Sequence, residues 1–216
     1  MYALKDKIYV FDLDGTLVDS MPVAVQKVLD FLTEQGVSYP DGIVKVLTPL
    51  GFKGIAEYYV SHFGVKMSAE EIYACFLQRL ERAYAQVIPL KVQVKEVLRA
   101  LKAQGVRLNV LTASPHAFTD VCLKERGVYE LFENVWSAED FGLKKSNVEI
   151  YAALARALGA RVEDIVMVDD SLDVIKTAKS AGVWTVGVYD AAWDKEWAEM
   201  QRTAHFHIAE FSQLLE

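Results

Sequence analysis

The sequence predicts an α/β fold, in which a parallel β-sheet is covered by helices on both faces and is interrupted once by an all-helical insertion. From residue 90 onward, short apolar segments alternate with segments of helical periodicity, as in strand–helix–strand units. The predicted strands are apolar on both faces, which is typical of a parallel sheet that is buried on both sides. An earlier apolar strand ends in VFDLDGTLVDS at residues 10–20, so the same sheet begins before the insertion.

The insertion shows helical periodicity only. Apolar residues recur at helical spacing over residues 21–35 and 52–63, which predicts two helices. The sequence SAEE at 68–71 is a capping box that opens a third helix. The glycine-rich segment at 48–58 is predicted to be irregular, and Pro89 ends the insertion.

We therefore predict two domains. Residues 1–18 and 89–216 form a Rossmann-like core, and residues 19–88 form a small helical cap. The further elements of the core are predicted in this order: a helix at 91–105, a strand at 106–112, a helix from Pro115, a strand at 134–136, a helix at 147–159, a strand at 164–168, a helix at 171–181, a strand at 183–188, and a last strand and short helix within 206–216. In such sheets, ligands bind beyond the C-terminal ends of the strands.

Composition excludes some classes of partner. The formal net charge is -7 and no cluster of Lys and Arg stands out, so nucleic acid and anionic membranes are not expected as partners. Neither a signal peptide nor a transmembrane helix is expected, because no apolar segment is long enough. Cys75 and Cys122 lie on predicted helices among apolar neighbours, which predicts inert thiols and a reducing cytoplasm. The sequence carries no prediction of an oligomeric state.

Polar side chains follow three of the predicted strands at the points where the strands end. Asp12 and Asp14 follow the first strand, Thr112 ends the second, and Asp169 and Asp170 follow a third. If these strands are neighbours in a parallel sheet, their polar ends converge on one crevice. The sequence therefore predicts a site at this edge of the sheet.

The residue types in this crevice indicate phosphoryl transfer. Several carboxylates in one place repel each other unless a cation is present, and oxygen ligands suit Mg²⁺. A hydroxyl and the free N–H groups at a helix N-terminus suit phosphate oxygens. Lys144 and Lys145 precede a helix and offer a further positive charge. Positioning and charge neutralisation of this kind are what phosphoryl transfer needs.

Some neighbouring side chains are predicted to have structural roles. Ser114 is predicted to cap the helix whose first turn contains Pro115. Gly15 and Thr16 are predicted to let the chain turn sharply after the first strand. His116 is predicted to be a solvated helix residue.

The order of these segments resembles that of a known family. FDLDGTLVDS, the strand end at Thr112, the lysine before NVEIY, and VDDSLD followed by AKSAG resemble the four motifs of the haloacid dehalogenase superfamily, in the same order. The helical insertion resembles the C1-type cap of that superfamily. The resemblance covers nearly the whole chain, and within the superfamily it is to the branch of phosphoglycolate phosphatase and β-phosphoglucomutase.

The resemblance implies roles for individual residues. Asp12 would be the nucleophile that forms an aspartyl-phosphate, and Asp14 would be the general acid and base. Mg²⁺ would be held by the carboxylates of Asp12 and Asp170 and by the backbone carbonyl of Asp14. Thr112 and the N–H of Ala113 would bind the phosphoryl oxygens.

Further assignments are less direct: those for the motif lysine and for Asp169 and Asp173 follow from the resemblance, and that for Lys53 follows from its place in the insertion. Counting back from Glu149 places the motif lysine at Lys145 rather than at Lys144, although this chain has KKSNVE where the family often has GKPxPD. Asp169 or Asp173 would assist the metal: Asp169 would bind a metal-bound water or accept a hydrogen bond from Lys145, whereas Asp173 is favoured as a charge in the first turn of the following helix. Lys53, in the insertion, would reach the organic part of the substrate.

The predicted function is hydrolysis of a small phosphorylated metabolite by a Mg²⁺-dependent phosphatase. Dehalogenases and phosphonoacetaldehyde hydrolases of this family replace the residue that corresponds to Asp14, so both activities are disfavoured. A phosphosugar mutase of the β-phosphoglucomutase type is the alternative, but Ala24 stands where that mutase has a histidine. A non-catalytic binding module ranks third, because all the required positions are filled.

Overall fold

The computed structural model describes residues 7–47 and 50–216. Two stretches lie outside the described residues. They are residues 1–6, where no signal peptide is expected, and Thr48 and Pro49, in the segment predicted to be irregular. The chain divides into two compact units. We call Met1–Asp19 with Pro89–Glu216 the sheet unit, and Ser20–Ile88 the helical unit.

In the described part of the sheet unit, six strands form one parallel sheet. The strands are β1 (Ile8–Phe11), β2 (Arg107–Thr112), β3 (Asn134–Ser137), β4 (Ile165–Asp169), β5 (Trp184–Val188) and β6 (Phe206–Ile208). Their order across the sheet is β3-β2-β1-β4-β5-β6, and every neighbouring pair is parallel. The predicted fold class is confirmed: the sheet is parallel and Rossmann-like, and its central strands are buried on both faces.

The helical unit consists of helices whose apolar faces meet. They are α1 (Met21–Glu34), α2 (Ile43–Leu47), α3 (Gly51–Phe63) and α4 (Ala69–Gln86). The rings of Phe31, Tyr59 and Phe76 pack together, with centroids 5.4 Å apart for Phe31 and Phe76. The hydroxyl of Tyr59 donates to the backbone carbonyl of Val28 at 3.0 Å, which satisfies the one polar group of this buried cluster.

The structure confirms one boundary prediction in this unit and corrects another. The capping box before α4 is formed, with the N–H of Glu71 donating to Ser68 Oγ at 3.2 Å and the N–H of Ser68 donating to Glu71 Oε2 at 2.8 Å. The predicted helix at 52–63 is confirmed as α3 (Gly51–Phe63), so the prediction that residues 48–58 are irregular is wrong for residues 51–58. Burial of Ile55 and Ala56 favours the helix there despite its glycines.

The helices of the sheet unit cover the sheet. They are α5 (Val94–Ala103), α6 (His116–Glu125), α7 (Glu149–Leu158), α8 (Leu172–Ser180) and α9 (Trp197–Thr203). The helix predicted from residue 91 begins only at Val94, because Gln93 has a left-handed backbone with φ of 67°. The other predicted strands and helices of this unit lie within a few residues of their predicted bounds.

Candidate active site

The carboxyl ends of three adjacent strands bring the predicted site residues together. β1 lies between β2 and β4, with Phe11 in register with Val110 on one side and Val168 on the other. The N–H of Asp12 donates to the carbonyl of Val168 at 2.9 Å, so Asp12 leaves β1 directly beside the end of β4. The three strands whose polar ends were predicted to converge are therefore neighbours in the sheet.

The turn after β1 requires glycine at position 15. Gly15 has φ of +76°, a left-handed conformation that other residues rarely adopt. A Cβ atom at this position would lie 2.6 Å from Cγ of Asp170, so the carboxyl group occupies the space that a side chain would need. The hydroxyl of Thr16 donates to Asp170 Oδ1 at 3.1 Å. The sequence predicted only a sharp turn here and missed that Thr16 orients an acid of the site.

Three buried carboxylates lie within reach of one ion. Oxygen atoms of Asp12, Asp169 and Asp170 lie within 4.8 Å of one another, and none of these residues is more than 5% exposed. Burial, followed by the nearby Asp169, raises the pKa of Asp170 to about 7. Burial also raises the pKa of Asp12, although Lys145 opposes this effect. For both acids burial is the largest cause, and the charge of Lys145 offsets it only in part.

Lys145 is the lysine that contacts these acids. Its Nζ donates to Asp12 Oδ1 and, at 2.9 Å, to Asp169 Oδ2, and the side chain is buried. Lys144 is exposed. Burial acts to lower the pKa of Lys145, but the charges of Asp12 and Asp169 outweigh it and raise the pKa above its ordinary value. The ammonium group is therefore fixed in the charged form.

The donor set fits a divalent metal ion. Three carboxylates and one ammonium leave an excess of two negative charges when all four groups are ionised. The donors are hard oxygen atoms, which Mg²⁺ prefers, and a buried cluster cannot rely on water to screen its charges. The buried side chains present therefore fit a divalent metal ion with oxygen ligands.

Backbone and side-chain groups hold the lysine and one acid in place. The hydroxyl of Tyr151, on α7, donates to the backbone carbonyl of Lys145 at 3.0 Å. The N–H of Ser171 donates to Asp169 Oδ1 at 2.9 Å. Tyr151 was not predicted as a site residue, because its position on the apolar face of α7 is equally typical of a core residue. Its hydroxyl was the one signal that could have identified it.

The structure corrects the predicted role of Ser114. The N-cap position of α6 is Pro115, and no side chain caps this helix. The hydroxyl of Ser114 instead donates to Asp14 Oδ2 at 2.6 Å, and its N–H donates to the Thr112 hydroxyl at 3.0 Å. The hydroxyl therefore donates to a carboxyl oxygen instead of accepting a backbone N–H of α6, as an N-cap side chain would. Thr112 is buried, whereas Ala113 is exposed.

His116 is more constrained than predicted. The side chain is exposed, but it contacts Asp120 Oδ1 at 3.1 Å and Asp140 Oδ2 at 2.9 Å. Asp140 lies in a short 3-10 helix after β3 and also accepts the N–H of Ser137 at 3.0 Å. These bonds connect the start of α6 to the loop beyond β3.

Lys53 lies in the helical unit, on α3. Its side chain is exposed, and Nζ lies 5.5 Å from the ring centre of Tyr73. Ala24 lies on α1 and is buried. A contact between Lys53 and a substrate stays a prediction.

Similarity to characterised proteins identifies the family. A sequence model described as haloacid dehalogenase-like hydrolase matches residues 7–182. The phosphoglycolate phosphatase of Pectobacterium atrosepticum is 31% identical over 185 residues, which cover 82% of this chain and 78% of that protein. The validoxylamine A 7'-phosphate phosphatase of Streptomyces hygroscopicus subsp. limoneus is 28% identical over 187 residues, which cover 84% of this chain and 85% of that protein.

Solved structures show the same fold. A Thermotoga maritima structure, provisionally assigned as a beta-phosphoglucomutase, superposes with a TM-score of 0.85 at 21% identity over 97% of this chain and 98% of that one. Within residues 7–47 and 50–216, no helix is both long and apolar enough to cross a membrane. The family match and the first of these relatives together show that this chain belongs to the haloacid dehalogenase-like hydrolases.

Proposed function

We propose that this protein is a Mg²⁺-dependent phosphatase that hydrolyses a small phosphate monoester through an aspartyl-phosphate on Asp12. The buried group of Asp12, Asp169 and Asp170 around Lys145, at the carboxyl end of the sheet, is the observation that carries the proposal. The phosphatases among its relatives support it. In this proposal the sheet unit is the catalytic core and the helical unit is the cap, and the enzyme acts in the cytoplasm.

In the first step, Asp12 attacks phosphorus. Lys145 holds Oδ1 of Asp12 by a hydrogen bond, which assigns Oδ2 as the attacking oxygen. The new bond joins Oδ2 to phosphorus, and the bond between phosphorus and the leaving oxygen breaks. Asp14 gives its proton to that leaving oxygen, so the product departs as a neutral alcohol. Thr112, through its hydroxyl, and Ala113, through its N–H, bind the phosphoryl oxygens.

In the second step, water hydrolyses the aspartyl-phosphate. Asp14, now ionised, takes a proton from the water as its oxygen attacks phosphorus. The bond between phosphorus and Asp12 Oδ2 breaks, which releases inorganic phosphate and restores the carboxylate. Lys145 remains bonded to Asp12 throughout and balances its charge.

Mg²⁺ would be held by the carboxylates of Asp12 and Asp170 and by the backbone carbonyl of Asp14. When bound, it neutralises charge on the phosphoryl group. Both oxygens of Asp169 accept hydrogen bonds, one from Lys145 and one from the N–H of Ser171. We therefore assign Asp169 the role of orienting Lys145.

The substrate is a small phosphorylated metabolite, and its organic part is selected by the cap. Relatives of similar identity act on phosphates as different as those in their names, phosphoglycolate and validoxylamine A 7'-phosphate. The shared catalytic motifs therefore do not determine the organic part of the substrate. Lys53 is one candidate for contact with it.

The mutase alternative has one specific argument against it. A mutase must keep water away from the aspartyl-phosphate until the intermediate has turned around, and the β-phosphoglucomutases use a histidine in the first cap helix to control the acid/base residue. Ala24 occupies the corresponding position on α1 and has no group that could form such a hydrogen bond. We therefore favour phosphate release.

The proposal is tested by phosphate release from 4-nitrophenyl phosphate with Mg²⁺, and then with a panel of phosphorylated metabolites. Activity should vanish with a chelator and in the Asp170→Asn variant. Asp173→Asn, which changes an exposed acid in the first turn of α8, is the matched control and should retain activity. Incubation with β-glucose 1-phosphate and a trace of the 1,6-bisphosphate tests the alternative. Glucose 6-phosphate that forms faster than free phosphate would favour the mutase.

A further inference from the structure

Ser114 connects two residues of the proposed mechanism. Its hydroxyl donates to Asp14 Oδ2 at 2.6 Å, and its backbone N–H donates to the Thr112 hydroxyl at 3.0 Å. All three residues belong to the sheet unit, and Ser114 is half-buried. One residue therefore contacts both the proposed acid/base group and a proposed phosphate ligand.

The loop that contains Ser114 is held in place from the helix side. Pro115 has an extended backbone with φ of -68° and ψ of 156°, and as a proline it has no N–H that could donate to the Ser114 hydroxyl. The hydroxyl of Thr119 donates to the carbonyl of Pro115 at 3.2 Å. The position of Ser114 is thus set by its own loop and by α6, so its hydroxyl is a fixed donor.

The length of the bond to Asp14 is that of a strong hydrogen bond. Hydrogen bonds from a hydroxyl to an oxygen acceptor are about 2.5–3.0 Å long, so this bond lies at the short end of that range. A bond to Oδ2 fixes the rotation of the carboxyl group, and hence the direction of Oδ1. Proton transfer depends steeply on such placement, because an error of about 1 Å can cost about 100-fold in rate.

We propose that Ser114 is a positioning residue, which orients the carboxyl group of Asp14 for proton transfer to the leaving oxygen. This inference rests on the proposed function, since it assigns Asp14 the role of acid. It differs from a merely structural role in one measurable respect. A defect in proton donation harms substrates with poor leaving groups more than substrates with good ones, whereas a distorted loop harms both alike.

The test compares phenyl phosphate with 4-nitrophenyl phosphate, which differ in how much the departing oxygen needs a proton. The parameter measured is kcat/KM, because it includes only the steps up to departure of the leaving group. Ser114→Ala should lower kcat/KM for phenyl phosphate about tenfold and for 4-nitrophenyl phosphate less than about threefold. Ser114→Thr keeps a hydroxyl and should restore most of the activity toward phenyl phosphate.

Thr119→Val is the matched control, because it removes a hydroxyl that braces the same loop without contacting Asp14. It should lower kcat/KM equally for both substrates, if at all. If Ser114→Ala loses kcat/KM equally for both substrates, or loses none, the positioning role of Ser114 is overturned. The proposed phosphatase activity would still stand in that case. If Ser114→Ala fails to fold, Ser114→Cys replaces it in the same comparison. A wild-type protein without phosphate release would instead overturn the proposed function.

Discussion

Two charged clusters in the sheet unit contain similar groups in different surroundings. In one, Lys145 is buried between Asp12 and Asp169; in the other, Arg161 hydrogen-bonds Asp164 at 2.9 Å while its side chain is 71% exposed. The hydrogen bond from Arg161 lowers the pKa of Asp164, whereas burial raises the pKa of Asp12 despite the lysine. Pairing with a cation alone therefore does not decide how a carboxylate behaves, because loss of water can outweigh it.

The comparison separates a surface cluster from a site. Exposed ion pairs are screened by water and contribute little to stability, so the cluster at Arg161 needs nothing further. The buried cluster retains an excess of negative charge and fits a divalent cation. Substitutions in the two clusters should therefore have very different effects.

The largest effect is expected for Asp12→Asn. An amide cannot attack phosphorus, so turnover should fall by about 10⁴-fold or more. Phosphate release from 4-nitrophenyl phosphate measures the loss, and Asp164→Asn in the exposed cluster is the matched control, expected to retain full activity. Activity of Asp12→Asn within tenfold of wild type would contradict the nucleophile assignment.

Removal of the buried lysine should reduce both stability and activity. Lys145→Ala leaves the buried carboxylates without their ammonium partner, which typically costs about 3–5 kcal/mol in the free energy of unfolding. Mg²⁺ should recover part of this loss, since it restores positive charge. Lys144→Ala is the control at an exposed position and should stay within about 0.5 kcal/mol of wild type. Urea unfolding with and without Mg²⁺ measures the free energy of unfolding of both variants, and phosphate release from 4-nitrophenyl phosphate measures their activity. A larger loss in Lys144→Ala would mean that the motif lysine is Lys144.

Gly15→Ala should be more harmful than a glycine substitution with the same backbone conformation elsewhere. The new Cβ would overlap the carboxyl group of Asp170, so we expect a loss of about 2–4 kcal/mol in the free energy of unfolding. Gly142 has φ of 63° but nothing within 4 Å of its Cβ position, so Gly142→Ala should cost about 1 kcal/mol. Equal losses measured by urea unfolding would show that backbone conformation alone, and not the approach of Asp170, requires the glycine at position 15.

The smallest effect is expected at His116. Its hydrogen bonds to Asp120 and then Asp140 raise its pKa, so the folded state binds the proton more tightly than the unfolded state. The stabilisation is fully present below the unfolded pKa of about 6.5 and is lost as pH rises through the folded pKa. Because the pair is exposed, the effect should stay below about 1 kcal/mol.

The measurement is the free energy of unfolding of wild type and His116→Gln at about pH 5.5 and about pH 8.5. The difference between the two proteins should be larger at the lower pH. A difference that grows toward high pH would have the wrong sign and would reject the ion pairs.

Much of the fold was predictable because it depends on local patterns. The apolar strands and the capping box at Ser68 are each contained in a short segment, and the structure has them close to where they were predicted. For the segment at residues 51–58, two local patterns disagreed: apolar spacing predicted a helix from residue 52, and the glycines predicted an irregular conformation. Its glycines argue against a helix, whereas burial of Ile55 and Ala56 in the helical unit favours one.

The sequence by itself determined the fold class, the family and the strand ends at which the acids lie, because each rests on contiguous motifs. Only the tertiary structure decided which side chains meet. Ser114 and Asp14 are 100 residues apart along the chain, Lys145 and Asp12 are 133 apart, and Thr16 and Asp170 are 154 apart. Such hydrogen bonds depend on differences of less than 1 Å in how turns and helices pack at the edge of the sheet. A motif specifies which residues are present, but packing sets the distances between them.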